Sequence, residues 1–288
     1  MSTTTLASGP RGRLQPRIYL FAALCFAIMT LMLFPLAMSL FASLKTPADA
    51  SLVPPHYLPA TPSIENYLKV FHYQAGLQSY LFNSLAVAAL TILMCLALAV
   101  PAGYGLAAFP LPAKEAIFLL LLLGLMAPYQ ALLTPLYRLF TTLGLTNSYF
   151  GLAIIHTVLQ LPFSVYLMRN SFEAVPKELS EAATIDGASS FQTLVWIFLP
   201  ASLPSIITLV LFAFITSWNE FIGALIFMNR ESGFTVPVML VGVRSGHFGA
   251  VDWGAVQAGV VISILPCFLI YLLLQKYYVS GFLSGAIK

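Results

Sequence analysis

Trp218, Asn219 and Glu220 stand side by side inside an otherwise apolar run. An indole face next to an amide and a carboxylate suits a sugar, whose C–H face stacks on the ring while its hydroxyls take hydrogen bonds. The same trio can instead order a helix bundle or a gate, and both readings stand. Ionisable groups in apolar segments are costly and normally face a cavity or a partner, so Glu220 is the clearest pathway candidate. Asn83 is a weaker one, because polar side chains in membrane helices often bond across helices.

Other reactive constellations are missing. The chain has no Gly-Lys dipeptide and so no phosphate-cradling G-x-x-x-x-G-K-[ST] loop, and it has no H-E-x-x-H or G-x-S-x-G element. No catalytic residue, metal ligand set or bound cofactor is therefore expected. Cys25, Cys95 and Cys267 are widely separated in apolar runs, and read as packing residues rather than a disulfide framework. His156 and His247 read as satisfied hydrogen-bonding side chains rather than ligands.

These residues must be positioned by elements that live in lipid. Of 288 residues, 59% are hydrophobic and 8% charged, with a mean hydropathy of +0.90. Soluble domains run at roughly 45–50% apolar and about 25% charged. Long apolar runs without the alternation of a barrel point to an all-α integral membrane protein. Six spans are expected, over Ile18–Leu44, Tyr80–Ala108, Glu115–Leu133, Tyr149–Leu167, Pro204–Phe227 and Ala255–Leu274. Residues 1–17 form an N-terminal tail, and 18–288 a single transmembrane domain with an inner loop at 169–200 and a C-terminal tail at 276–288. The first apolar run is too long for the core of a secretory signal, which spans about 7–15 residues, so it is read as a retained span.

Basic residues at span ends set the orientation. With the N-terminus inside, Arg11, Arg13, Arg17, Lys114, Arg169, Lys177, Lys276 and Lys288 fall on the cytoplasmic side. Lys45, Lys69, Arg138, Arg230 and Arg244 fall outside. Both termini are thus expected in the cytoplasm. A net charge of +3 gives no support for nucleic-acid binding. Outside the spans, the proline-rich stretch after residue 46 leads into Ile64–Phe71, expected to be a short amphipathic helix on the outer face. It serves either as a partner contact or cap, or as a structural loop.

The inner loop can hold structure of its own. Pro176 can open a helix, with Glu178 and Glu181 at its positive end. Gly187 can stop it in the left-handed conformation. Ser189 or Ser190 can then cap a second helix through Phe191–Phe198, closed by Pro200. Leu179, Ala182, Ala183 and Asp186 share one side of the first helix, where small side chains would let another surface approach. The alternative is an interfacial helix lying on its own membrane, with Lys177 and Glu181 as an i, i+4 pair.

Glu181-Ala182-Ala183, then Asp186-Gly187-Ala188, then Ile197-Phe198-Leu199-Pro200 resemble the inner-loop signature of carbohydrate-type permease subunits of bacterial ABC importers, the group of the smaller maltose-transporter permease. Asn83-Ser84, Trp218-Asn219-Glu220-Phe221 and the ending Gly281–Lys288 are similar to further stretches of that family, with Phe282, Ser284 and Ile287 as mild departures.

The resemblance implies a type I importer permease in the bacterial inner membrane, with six transmembrane helices and a cytoplasmic coupling helix. Its implied partners are a second permease subunit in a heterodimer, two ATPase subunits that carry the ATP and Mg, an external solute-binding protein, and lipid. It also implies that Glu181 anchors the ATPase, that Ala182 and Ala183 give a close-packed surface together with Asp186 and Ala188, and that Gly187 makes the bend. Ser284, Gly285 and Lys288 of the tail approach the ATPase subunits. The implied cargo is a sugar or glycoside-like solute. A polyol or glycerol phosphodiester is the alternative, and an ion-coupled secondary transporter is disfavoured by the lone intramembrane carboxylate and the lack of repeated halves.

Overall fold

A computed structural model describes residues 16–52, 54, 56–244 and 251–286, with side chains outside that description at Pro16 and from 277 onward. Every regular element among them is a helix. In chain order they are α1 (Pro16–Ser43), α2 (Pro47–Ala50), α3 (Glu65–Phe71), α4 (Leu77–Ala108), α5 (Lys114–Leu123), α6 (Tyr129–Thr142) and α7 (Tyr149–Glu173). Then follow α8 (Lys177–Ile185), α9 (Ser190–Thr193), α10 (Leu199–Ala201), α11 (Leu203–Asn219), α12 (Ile222–Phe227), α13 (Val236–Arg244) and α14 (Trp253–Ala286).

Four of these, α1, α4, α7 and α14, are long and apolar enough to cross a membrane unbroken. The third expected span is instead a bent pair, and a second bent pair lies where the loop at 169–200 enters the fifth. The first pair turns by 98° between the segment Lys114–Met126 and α6, and the second by 81° between Ser190–Ala201 and α11. Pro128 explains the first break: it donates no backbone hydrogen bond and holds extended backbone at ψ 107. The fifth span is broken again at Glu220, which leaves the helix at ψ 124 before α12 begins. Pro128, a proline able to kink the third span, turns it sharply, and Pro204–Phe227 is two helices rather than one, because apolarity fixes depth in lipid but not straightness. The fourth span reaches beyond Leu167 to Glu173, and the last runs from Trp253 to Ala286, so the tail continues a helix.

The bundle centre is α4, α7 and α11, packed on one another. Close approach of α4 and α7 depends on Gly103, where a Cβ would lie 2.6 Å from Met168 Cβ and 2.9 Å from the Arg169 backbone nitrogen. Cys95, Ala99, Val165, Met168, Leu209 and Ala213 fill the space between the three helices. By contrast α1 is apolar on all sides and exposed along its first two-thirds, touching the bundle chiefly through α14. Such a helix is solvated by lipid tails or by another membrane helix.

The connection after α1 is sewn to the bundle. Asn66 of α3 is buried and donates to the carbonyls of Ser43 (3.0 Å) and Lys45 (2.7 Å), and Lys69 pairs with Asp252 at 3.0 Å. The expected helix at Ile64–Phe71 therefore clamps the end of α1 to the start of α14. Of the outer loop after Asn229, residues 236–244 form α13, and His247 lies outside the described residues.

Candidate coupling loop and translocation pathway

At the end of α7 the chain turns into the candidate coupling loop. Arg169, expected at the start of that loop, is still helical and buried. Its Nη2 donates to Glu115 at 2.6 Å, its Nε to Glu173 at 2.8 Å, and its guanidinium lies 4.2 Å from the Phe118 ring centroid. Two carboxylates and an aromatic face satisfy the charge, so α7 continues past it and is tied to α5.

The loop itself starts at Ala174, and α8 follows Pro176. It ends in a Schellman motif: the Gly187 N–H donates to Thr184 O (3.1 Å) and the Ala188 N–H to Ala183 O (2.9 Å), with Gly187 at φ +78. One residue later Ser189 opens the next helix with a reciprocal capping box. Its Oγ accepts from the Gln192 N–H at 3.3 Å, and its own N–H donates to Gln192 Oε1 at 2.8 Å. Stop and restart together make a stiff elbow, in which the N–H groups of Gly187, Ala188 and Ser189 are all hydrogen-bonded.

On α8, Ala183 is buried, while Leu179, Glu181, Ala182, Ile185, Asp186 and Gly187 are exposed. Ile185 is 86% exposed, an unusual position for a large apolar side chain on the water side of a membrane protein. Lys177 and Glu181 form no ion pair with each other; instead both line a cleft of about 490 Å³ with Ser180, Glu173 and Lys114. The i, i+4 pair is thus corrected: the exposed side chains extend into open space, where water screens their attraction.

The elbow leads into the bundle through one aromatic wedge. After α9 the helix widens into a π turn at Leu194–Phe198 and continues through Pro200 to Ala201. Pro200 therefore does not close it, since the widened turn relieves the clash a proline makes with the preceding turn. Phe198, 5% exposed, meets Tyr104 of α4 edge-on at 5.0 Å and Phe172 of α7 at 5.7 Å. Phe198 thereby joins the helix after the elbow to both α4 and α7.

The expected pathway residues are not brought onto one surface. Trp218 is 2% exposed, stacks on Phe214 at 5.4 Å and donates its indole N–H to the Ser263 carbonyl of α14 at 3.2 Å. Asn219 is exposed, with its amide donating to the Ile215 carbonyl at 2.9 Å. Consecutive helical residues diverge by about 100°, so an indole and an amide side by side in sequence face different neighbours. Asn83 donates to the carbonyls of Ser232 and Phe234, both at 2.8 Å, and accepts from the Tyr149 hydroxyl at 2.6 Å. Its neighbour Ser84 accepts the Val236 N–H at 2.8 Å and caps the start of α13.

Glu220 is held in the break after α11. Its Oε1 accepts the Gly223 N–H at 2.7 Å, and its Oε2 accepts the Ala224 N–H at 3.0 Å and lies 3.1 Å from His156 Nε2. The other ring nitrogen of His156 is 2.8 Å from Ser217 Oγ. The isolated histidine of the fourth span is thus a satisfied buried group, but its partner is Glu220, the pathway candidate, which sequence separation concealed. Ser284 and Gly285 fall in the last turns of α14 with side chains outside the described residues, as is Lys288 altogether.

Residues 99–281, which include the elbow and the Glu220 break, match the model of the family described as binding-protein-dependent transport system inner membrane component. The chain is 34% identical over 256 residues to the sulfoquinovosyl glycerol transport system permease protein SmoH of Agrobacterium fabrum, covering 89% of each chain. It is 36% identical to the trehalose/maltose transport system permease protein MalG of Thermococcus litoralis, covering 78% of this chain and 81% of that one. Among solved structures, a chain of a bacterial ABC transporter involved in import of the acidic polysaccharide alginate superposes with a TM-score of 0.79 at 22% identity. That match covers 93% of this chain and 99% of the other, and shows a shared fold.

Proposed function

Because the chain belongs to the family of binding-protein-dependent transport system inner membrane components, we propose that it is one of two unlike permease subunits which carry a sugar or glycoside-like solute into a bacterial cytoplasm. It is a multi-pass permease subunit of an ABC transporter. ATP and Mg are handled by two separate ATPase subunits, since the chain has no phosphate-binding loop. The solute arrives on an external binding protein. The membrane is the inner one, with both termini cytoplasmic. The sugar class draws on the relatives, one of which serves sulfoquinovosyl glycerol and another trehalose and maltose. A polyol or glycerol phosphodiester is the second reading, favoured by the glycerol moiety of the first relative's solute.

The observation that carries the mechanism is the exposed α8 on a rigid elbow whose far end is wedged between α4 and α7. Glu181 is the polar anchor in a groove of the ATPase, Ala182 allows close approach, and Ile185 adds apolar contact area. Closure of the ATPase pair displaces α8, and Phe198 passes the displacement to the bundle. The bundle then exchanges inward-facing for outward-facing access. The exposure of Asn219 supports reading it as the member of the Trp-Asn-Glu trio that meets solute. Ser284, Gly285 and Lys288 add a second contact with the ATPase subunits.

Capture through a tag on this chain tests the docking. Wild-type protein extracted in detergent is expected to bring down an ATPase subunit, while Glu181→Lys inserts normally and loses it. Equal recovery of the ATPase with the Glu181→Lys chain removes Glu181 from the interface.

A further inference from the structure

The third and fifth spans are both broken, and the two breaks meet. Pro128 turns the third span and delivers Tyr129 as the first residue of α6. Glu220 interrupts the fifth, and α12 begins two residues later. Between them stands Gly223: a Cβ there would lie 2.5 Å from the Tyr129 hydroxyl and 2.9 Å from Glu220 Oε2. Beyond the joint, α6 and α12 meet through Leu133, Phe140 and Phe227, with Tyr137 and Phe140 edge-on to Phe227 at 5.8 and 5.3 Å and Ile155 of α7 packed into the same cluster. On the other side of Glu220, α7 contributes His156, and Ser217 passes the network on to Thr91 of α4 at 3.4 Å.

One group in this arrangement is left over. The Tyr129 hydroxyl is buried and has no hydrogen-bond partner. A phenol keeps its proton at neutral pH and is a donor, and leaving a buried donor unmade costs free energy. Glu220 has room for it, because a carboxylate offers about four acceptor sites and three donors occupy it here. An unmet donor beside an acceptor with a vacant lone pair is a contact available to a second arrangement of the same parts.

We infer that the two breaks form a single joint in the transport cycle, in which Tyr129 and His156 are positioning residues acting through Glu220. His156 holds the carboxylate in the arrangement seen here, and Tyr129 bonds to it when α6 and α12 swing together on the joint. Gly223 is the clearance that lets the tyrosine reach. The inference rests on the reading of the chain as an ATP-driven permease and adds the place where its outer half moves.

The test uses the transporter captured whole from membranes and placed in lipid nanodiscs. Spin labels replace the exposed Leu139 on α6 and Leu85 on α4, and their separation is measured without nucleotide and after trapping with Mg-ATP and vanadate. In the wild-type background the separation is expected to change on trapping. Tyr129→Phe leaves the resting separation unchanged and does not lower the melting temperature, since the hydroxyl has no partner in this state, and it removes most of the change on trapping. His156→Gln keeps a donor for Glu220 and retains the resting separation, whereas His156→Ala alters it. A full wild-type change in the Tyr129→Phe protein overturns the joint alone. A labelled wild-type complex that hydrolyses no ATP overturns the permease reading, and the joint with it.

Discussion

Phe198, on the helix that follows the coupling elbow, meets Tyr104 of α4 edge-on with ring centroids 5.0 Å apart. This contact and its counterpart with Phe172 join the water-side loop to the two central helices. Truncating a buried phenylalanine to alanine costs about 3–5 kcal/mol in transfer and cavity terms. Phe198→Ala is expected to retain the ATPase partner, because α8 is untouched, yet to hydrolyse ATP without driving uptake. Phe198→Leu keeps most of the volume and restores part of the coupling. Measurement of ATP hydrolysed per solute moved decides the matter.

Gly187 carries the elbow in the left-handed conformation at φ +78, with nothing within 4 Å of where a Cβ would stand. A substitution there meets no neighbour and suffers only backbone strain, about 1–2 kcal/mol for an ordinary L residue. Gly187→Val is expected to lower uptake with little change in membrane insertion. Gly187→Asn, which tolerates this conformation better, should lie between Val and wild type. Uptake equal in all three proteins would remove the bend from the mechanism.

Asn83 closes three hydrogen bonds among α4, α7 and the outer loop before α13. Asn83→Leu leaves the carbonyls of Ser232 and Phe234 without their donor, at about 1–3 kcal/mol for each group that stays buried. A lower melting temperature in detergent is the expected result, with Tyr149→Phe giving a smaller drop. If Asn83→Leu melts as wild type but changes which solutes are taken up, Asn83 belongs to the pathway instead.

Much of this architecture is legible in the residues themselves. The apolar runs mark where the chain crosses lipid, and Gly187, Ser189 and Pro176 mark the elbow because cap and stop signals act over a few residues. Pro128 reads as a proline able to kink its span, but no local pattern sets the size of the turn, and Glu220 reads as a membrane carboxylate rather than as the cap of a following helix. His156 and Glu220 are 64 positions apart, and no local pattern announces such a pair. The same distance problem separates the Trp-Asn-Glu trio from its surroundings: adjacency in sequence suggests one binding surface, while helical geometry sends Trp218 into the packing against α14 and Asn219 outward. The charge of Arg169 points to water and a loop, and the two carboxylates that let it stay in the helix lie on α5 and one turn ahead on α7.

ATP-driven uptake is the most direct measure of the central claim that this chain is a permease moved from outside itself through α8. The complex captured through this chain is placed in liposomes, with the external binding protein and its solute on one side and Mg-ATP on the other. Uptake is expected only with ATP and only with the binding protein, and it is abolished by Glu181→Lys. A chain that purifies alone and moves the solute without ATP contradicts the account.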